Sequence, residues 1–190
     1  MRAPIIAPPQ EFQRDHRMPN VASYTRREEL RDSTPIEIRA LRPEDEAGML
    51  AALGQTSAQS IQRRFFAMKR HFSDKERAYF LEIDFSSQVA LVACAEDAGR
   101  SIIVGGGRYV VTEPGRAEMA FVVIDAWQGR GIGAILARHL IALAREAGLD
   151  ELTAEVLPEN AAMRRVFDKL GFRPTAKQDP QTIHLVLKLT

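Results

Sequence analysis

Three glycines fall inside five positions, Gly129, Gly131 and Gly133, between an apolar run (Met119 to Ile124) and a segment carrying Ile132, Leu136, Leu140 and Leu143. Glycine permits a tight turn and lets the backbone approach a ligand with no Cβ in the way. A helix starting there offers N–H groups without intrahelical acceptors and the positive end of its dipole, favouring an anion by about 0.3–1 kcal/mol per charge. Trp127-Gln128-Gly129-Arg130-Gly131-Ile132-Gly133-Ala134 therefore reads as a phosphate or pyrophosphate cradle. Its plainer reading is a strand-to-helix turn with no ligand. Gly129-x-Gly131-x-x-Ala134 also satisfies the dinucleotide fingerprint, but four residues separate it from the preceding strand, and too little chain follows for the remaining βαβ units. A Walker A loop is excluded, since no Gly-Lys-Ser or Gly-Lys-Thr occurs.

Other chemistry-bearing side chains are few. Glu118 stands between Ala117 and Met119, where apolar neighbours would raise a carboxylate toward the range of a general base. The alternative is a solvated glutamate paired with Arg116 or Arg108. His16, His71, His139 and His184 show no metal-ligand spacing with each other or with Cys94, so no metal is expected. Cys94, inside Val-Ala-Leu-Val-Ala-Cys-Ala, reads as a small buried hydrophobe. Trp127 beside the turn reads first as a packing residue, with flanking a bound ligand as the alternative.

The elements that must hold these residues follow from periodicity. Ile36, Ile38 and Leu41 mark a first strand, and Pro43 with Glu44, Asp45 and Glu46 opens a helix. A second helical stretch runs from Ser57 to Met68, and Ser73 with Glu76 forms a capping box for a third, through Leu81. Strands are predicted at Gln88 to Ala95, Ser101 to Val111 and Ala117 to Ile124, the last buried on both faces because its apolar run does not alternate. The helix after the glycines stops at Gly148; a strand from Leu152 to Leu157 ends at Pro158. A further helix carries Met163, Val166, Phe167 and Leu170, and Ile183, Leu185, Leu187 and Leu189 form a closing strand. The order fits a single α/β domain, a mixed, mostly antiparallel sheet with helices on both faces. Residues 1–34, with four of the ten prolines and no glycine, read as an extension outside the core with the composition of a disordered segment; the domain proper is expected at 35–190.

The totals bound the function. The chain has 190 residues, 26 basic against 25 acidic, and 45% hydrophobic residues, which suits one domain and removes the broad basic surface of a nucleic-acid binder. No apolar run approaches a membrane span, Pro4, Pro8 and Pro9 interrupt any signal-peptide core, and the lone cysteine suits a reducing compartment. A cytoplasmic protein is expected, with neither nucleic acid nor membrane as partner.

Gln128-x-x-Gly131-x-Gly133 after Val122-Val123-Ile124 resembles the acyl-CoA signature of the GNAT superfamily of N-acetyltransferases. Asn160, opening the helix that ends at Leu170-Gly171-Phe172, resembles that superfamily's second signature. Ser60, Arg64-Phe65-Phe66, Ser73-Asp74, Asp84-Phe85 and Ala117-Glu118-Met119-Ala120 further resemble the catalytic domain of bacterial Pat-type protein lysine acetyltransferases, whose second, regulatory domain is not found in this sequence.

The resemblance implies acetyl-CoA as co-substrate and transfer to an amine. The acceptor would be a lysine of a protein such as an acyl-CoA synthetase, or else a small amine; a non-catalytic acyl-CoA sensor is the remaining alternative. Glu118 would be the general base. Main-chain groups of Phe121, Val122 and Val123 would meet the acetyl and pantetheine portions. Gln128, Gly129, Arg130, Gly131, Ile132 and Gly133 would form the pyrophosphate cradle, and Asn160 would bind pantetheine or merely cap its helix. Phe167 stands where many members carry an acidic tyrosine. It has no proton to give, which leaves another group, with Tyr79 and Tyr109 as candidates, a water or the bulk solvent to protonate CoA, or a step that needs no acid.

Overall fold

The computed structural model describes residues 21–65, 73–179 and 181–189. An eight-stranded sheet runs through it in the order β1-β2-β3-β4-β5-β6-β8-β7. The strands are β1 (Thr25–Glu29), β2 (Pro35–Ala40), β3 (Gln88–Asp97), β4 (Arg100–Glu113), β5 (Arg116–Val123), β6 (Glu151–Val156), β7 (Arg173–Gln178) and β8 (Ile183–Lys188). The first five form an antiparallel meander, and β5 with β6 is the single parallel neighbour pair. The helices are α1 (Glu46–Gly54), α2 (Ala58–Phe65), α3 (Asp74–Leu81), α4 (Ile132–Glu146) and α5 (Ala161–Lys169).

Helix α4 crosses β3, β4 and β5 on one face, and α1 packs on β4 from the other. Its buried stripe includes Ile132, Leu136, Leu140 and Leu143, the residues whose spacing marks the helix in the sequence. Close seating depends on Gly105 and Gly107 in β4: a Cβ on Gly107 would stand 3.0 Å from Leu140 Cδ1 and 3.0 Å from Phe121 Cβ. β3 is buried along eight consecutive residues, as expected of a central strand covered on both sides.

Two expectations change. Residues 21–34 are not an extension outside the core: Val21 and Leu30 are buried, and β1 pairs with β2 from Thr25↔Arg39 to Glu29↔Pro35. Backbone pairing, not an apolar stripe, holds this edge strand, so Thr-Arg-Arg-Glu-Glu carries no strand signal. Residues 21–34 therefore belong to the domain; residues 1–20 lie outside the described residues.

β5 is not buried on both faces. Ala117, Met119 and Phe121 are buried, whereas Glu118, Ala120 and Val122 are half-buried. The second set faces away from α4. The end of the second helix at Met68, with Phe66, His16 and His71, falls outside the described residues, as does the side chain of Glu76 in the expected capping box.

Candidate active site

β5 and β6 pair over only three positions, Arg116↔Glu151, Ala117↔Leu152 and Glu118↔Thr153, and then part. Beyond Glu118 one edge of β5 is open. Alternation assigns that edge. The N–H of Ile124 donates to Val104 O in β4 at 3.0 Å, so Phe121 and Val123 turn their main-chain groups to the opposite, open side. The structure thus brings these two residues to the notch, where an incoming acyl thioester would find main-chain donors.

The glycine turn closes one end of the notch. Gly129 and Gly131 have φ of +76° and +97°, and a Cβ on either would meet nothing within 4 Å, so glycine serves the left-handed backbone there rather than a tight contact. Gly131 is the N-cap of α4, and no side chain caps this helix start. The leading N–H groups at Ile132 and Gly133 lack intrahelical acceptors by helix geometry and face a cleft of about 680 Å³. Gln128 holds the turn: its Nε2 donates to Val123 O at 3.0 Å, Ser60 Oγ at 3.1 Å and Asp125 Oδ1 at 3.2 Å. Its side chain positions the cradle more than it faces a ligand.

Asn160 caps its helix and borders the cleft. Its Oδ1 accepts the Met163 N–H at 3.2 Å as the cap of α5, and the residue lines the cleft opposite Val123 and Gln128. Arg130 departs from expectation. Its guanidinium is drawn from the cradle to Asp32 Oδ2 (2.6 Å) and Thr34 Oγ1 (2.7 Å) in the β1–β2 turn, and lies 4.2 Å from the Trp127 ring centroid. Hydrogen bonds from Thr34, then from Arg130, lower the Asp32 carboxyl to about 2.

Positive charge reaches the cleft from elsewhere. Arg31, Arg63, Arg138, Arg165 and Lys169 all line it, contributed by the β1–β2 turn, α2, α4 and α5. Sequence reading missed them because they are scattered. The one local signal was Arg165 and Lys169 four residues apart on a helix face.

Glu118 occupies the last paired position before the strands part, half-buried, with Val110 of β4 opposite. Arg116, one partner considered for it, instead bonds Glu113 at 2.9 Å and Glu151. Arg108 occupies a diagonal position on the same face; its Nη2 donates to Phe80 O at 2.8 Å. Glu118 does not line the cleft.

Phe167 is buried against Phe121 (centroids 5.4 Å) and Phe172 (4.8 Å), so it packs the core where a proton donor was sought. Tyr109 is fully buried on the α4 side, opposite Met119, and burial pushes its hydroxyl up; it is withdrawn as a candidate acid. Tyr79 lies on α3, 5.7 Å from the Arg108 guanidinium. Cys94 is buried, and desolvation raises its thiol. Among the described residues, no group of three or more His, Cys, Asp or Glu side chains is arranged to hold a metal ion, and no helix is long and apolar enough to cross a membrane.

Residues 57–172 match the Acetyltransferase (GNAT) family. The chain belongs to this family. It is 32% identical over 162 residues to an acetyltransferase of Pseudomonas aeruginosa, spanning 83% of this chain and 86% of that protein. It is also 32% identical over 139 residues to acetyltransferase Pat of Mycolicibacterium smegmatis, covering 70% of this chain and 40% of that longer protein. The crystal structure of the GNAT domain of S. lividans PAT superposes with a TM-score of 0.80 at 31% identity, covering 86% of this chain and 96% of that one. The GNAT chain described here is therefore an acetyl-CoA-dependent acetyltransferase of the Pat type. The uncapped start of α4, the open β5 edge and the basic cleft fit that co-substrate in shape and charge.

Proposed function

We propose that the protein acetylates the side-chain amine of a lysine in a protein substrate by direct transfer from acetyl-CoA in a ternary complex, with Glu118 as general base. The observation that carries this is the position of Glu118: it is the last residue of β5 paired with β6 before the notch opens. A carboxylate there stands beside the open edge, on the face of the sheet away from α4, while the glycine turn and α4 start hold the diphosphate end.

A base is required on energetic grounds. At pH 7 a lysine amine with pKa about 10.4 is neutral in roughly one molecule in 2,500, and removing its proton costs about 4.6 kcal/mol. In the proposed step Glu118 accepts the ammonium proton and the free amine attacks the thioester carbonyl. The C–N bond forms, the attacking nitrogen gives up its second proton to solvent, the C–S bond breaks, and CoA leaves as the thiolate. Main-chain groups at Phe121 and Val123 meet the acyl and pantetheine portions, and Asn160 faces pantetheine. The likeness to proteins named Pat supports a protein acceptor.

The test is turnover with acetyl-CoA and lysine-bearing proteins, acyl-CoA synthetases among them. Glu118→Gln is expected to lower kcat by about 10²–10⁴-fold with little change in acetyl-CoA binding. Unchanged turnover would remove Glu118 from the mechanism. CoA release that is faster with free polyamines or amino acids than with any protein would replace the protein acceptor by a small amine.

A further inference from the structure

Beyond Glu118 the two lips of the notch carry different chemistry. On the β5 lip the residues facing away from α4 are Ala120 and Val122, both apolar. On the β6 lip the first such residue after Thr153 is Glu155, because alternate residues of a strand share a face and Leu152, Ala154 and Val156 are buried on the α4 side. His184 of β8 stands opposite Glu155, and its Nδ1 lies 3.0 Å from Glu155 Oε1. The His184 side chain is 12% exposed against 31% for Glu155, so the carboxylate is the surface end of the pair. Thr182 Oγ1 and Asp179 Oδ2 lie 3.3 and 3.9 Å from His184 Nε2 and flank the ring on its other side.

Neighbouring charges on this face are already engaged with one another. Glu151 is enclosed by Arg116 and Lys188, and Glu113 also bonds Arg116. Arg108 stands further back, on β4, with its Nη2 on Phe80 O. Among the described residues, no lysine or arginine forms an ion pair with Glu155; its ionic neighbour is an imidazole, which carries charge only when protonated. Strand geometry sets the Cα atoms of Glu118 and Glu155 about 8 Å apart, one strand spacing across and two residues along, and the parting of β5 from β6 adds to this.

We propose that Glu155 is a specificity-determining residue for the acceptor: it takes a second cation of the acceptor chain, an arginine or lysine two or three positions from the lysine whose amine reaches Glu118. The proposal rests on the protein-acceptor reading above. An extended chain advances about 3.3 Å per residue, so two or three residues span the interval between the carboxylates, whereas an adjacent residue falls short and turns its side chain to the opposite side. Charge on the two sides of the seam also sorts the two substrates. Five cations in the cleft draw the anionic co-substrate and repel a basic segment, which approaches from the face bearing Glu118 and Glu155.

Fluorescence anisotropy of labelled peptides, each with one central lysine, against the full-length protein saturated with CoA reads acceptor binding without turnover. Arginine is placed in turn at each position within four of that lysine, with serine there as the reference. Kd is expected to fall about fivefold for arginine two or three positions away on at least one side, and to stay within about twofold for arginine next to the lysine. The gain should shrink as salt rises. Glu155→Gln should erase the ratio between arginine and serine peptides, and Glu155→Lys should transfer the preference to glutamate at the same position, a reversal that a merely structural role would not produce. A melting curve for each variant identifies misfolding. Equal Kd across the scan, no measurable peptide binding, or a preference for arginine that survives in a folded Glu155→Gln overturns the proposal. Peptides that bind with the expected pattern yet are not acetylated would instead count against the function and leave this specificity standing.

Discussion

Gly133 lies directly against Phe121: a Cβ on Gly133 would stand 2.9 Å from Phe121 Cε2. The phenyl ring is itself fixed by Phe167, so it has little room to yield. Glycine here sets how closely the first turn of α4 approaches β5. Gly133→Ala is expected to cost about 1–3 kcal/mol of stability as an overpacked contact. It should also weaken acetyl-CoA binding, because α4's leading N–H groups shift with the turn. Chemical denaturation and calorimetry measure the two effects.

Arg130 and the α5 cations should behave differently although all are basic and near the cleft. Arg130 is held by Asp32 and Thr34, so Arg130→Ala should change the Kd for acetyl-CoA by less than about threefold, as expected for a surface tether.

Reversing charge at Arg165 or Lys169 is expected to weaken acetyl-CoA binding by about tenfold, with the difference shrinking as salt rises toward 1 M. Titrations at two ionic strengths provide the check, and a salt-independent loss would point to packing instead.

Stability should fall as pH drops below about 6.5. The His139 ring bridges Tyr24 Oη (2.6 Å) and Glu28 Oε1 (2.9 Å), an arrangement satisfied by a neutral ring whose Nε2–H donates to the carboxylate. Burial lowers its pKa more than Glu28 raises it, and Arg138 and Arg26 add to the lowering. With a folded value below the unfolded one, the neutral ring's contribution is complete above the unfolded pKa and is lost as pH falls toward the folded value. Denaturant midpoints from pH 8 to 5 should show this slope, and His139→Gln should flatten it.

Much of the fold is legible because its signals are local. The stripe on α4, the break at Pro158 and the glycine turn each depend on a few adjacent residues, and each appears where the sequence puts it. β1 is not legible, since its partners are backbone groups and its anchors are two isolated residues, Val21 and Leu30. The half-buried face of β5 is likewise hidden: Ala120 and Val122 are as apolar as their buried neighbours, and only the arrangement of surrounding helices leaves them open. Near-equal totals of 26 and 25 charges suggest a cradle built from backbone groups alone, yet five cations from four elements meet at one cleft. Composition records how many charges there are, and folding decides where they gather.

The brevity of the β5–β6 ladder gives the sheet a seam. Five strands lie on one side and three on the other, stitched by three residue pairs and bridged by α4 and α5. A co-substrate arm lying in the seam would stand in for rungs the polypeptide does not provide, so occupancy and cohesion of the two leaves become one equilibrium. At a hundred times Kd such a ligand adds about 2.7 kcal/mol to the folded state. Much of that reinforcement would fall on the β6-β8-β7 leaf, whose ladder to β5 is three positions long.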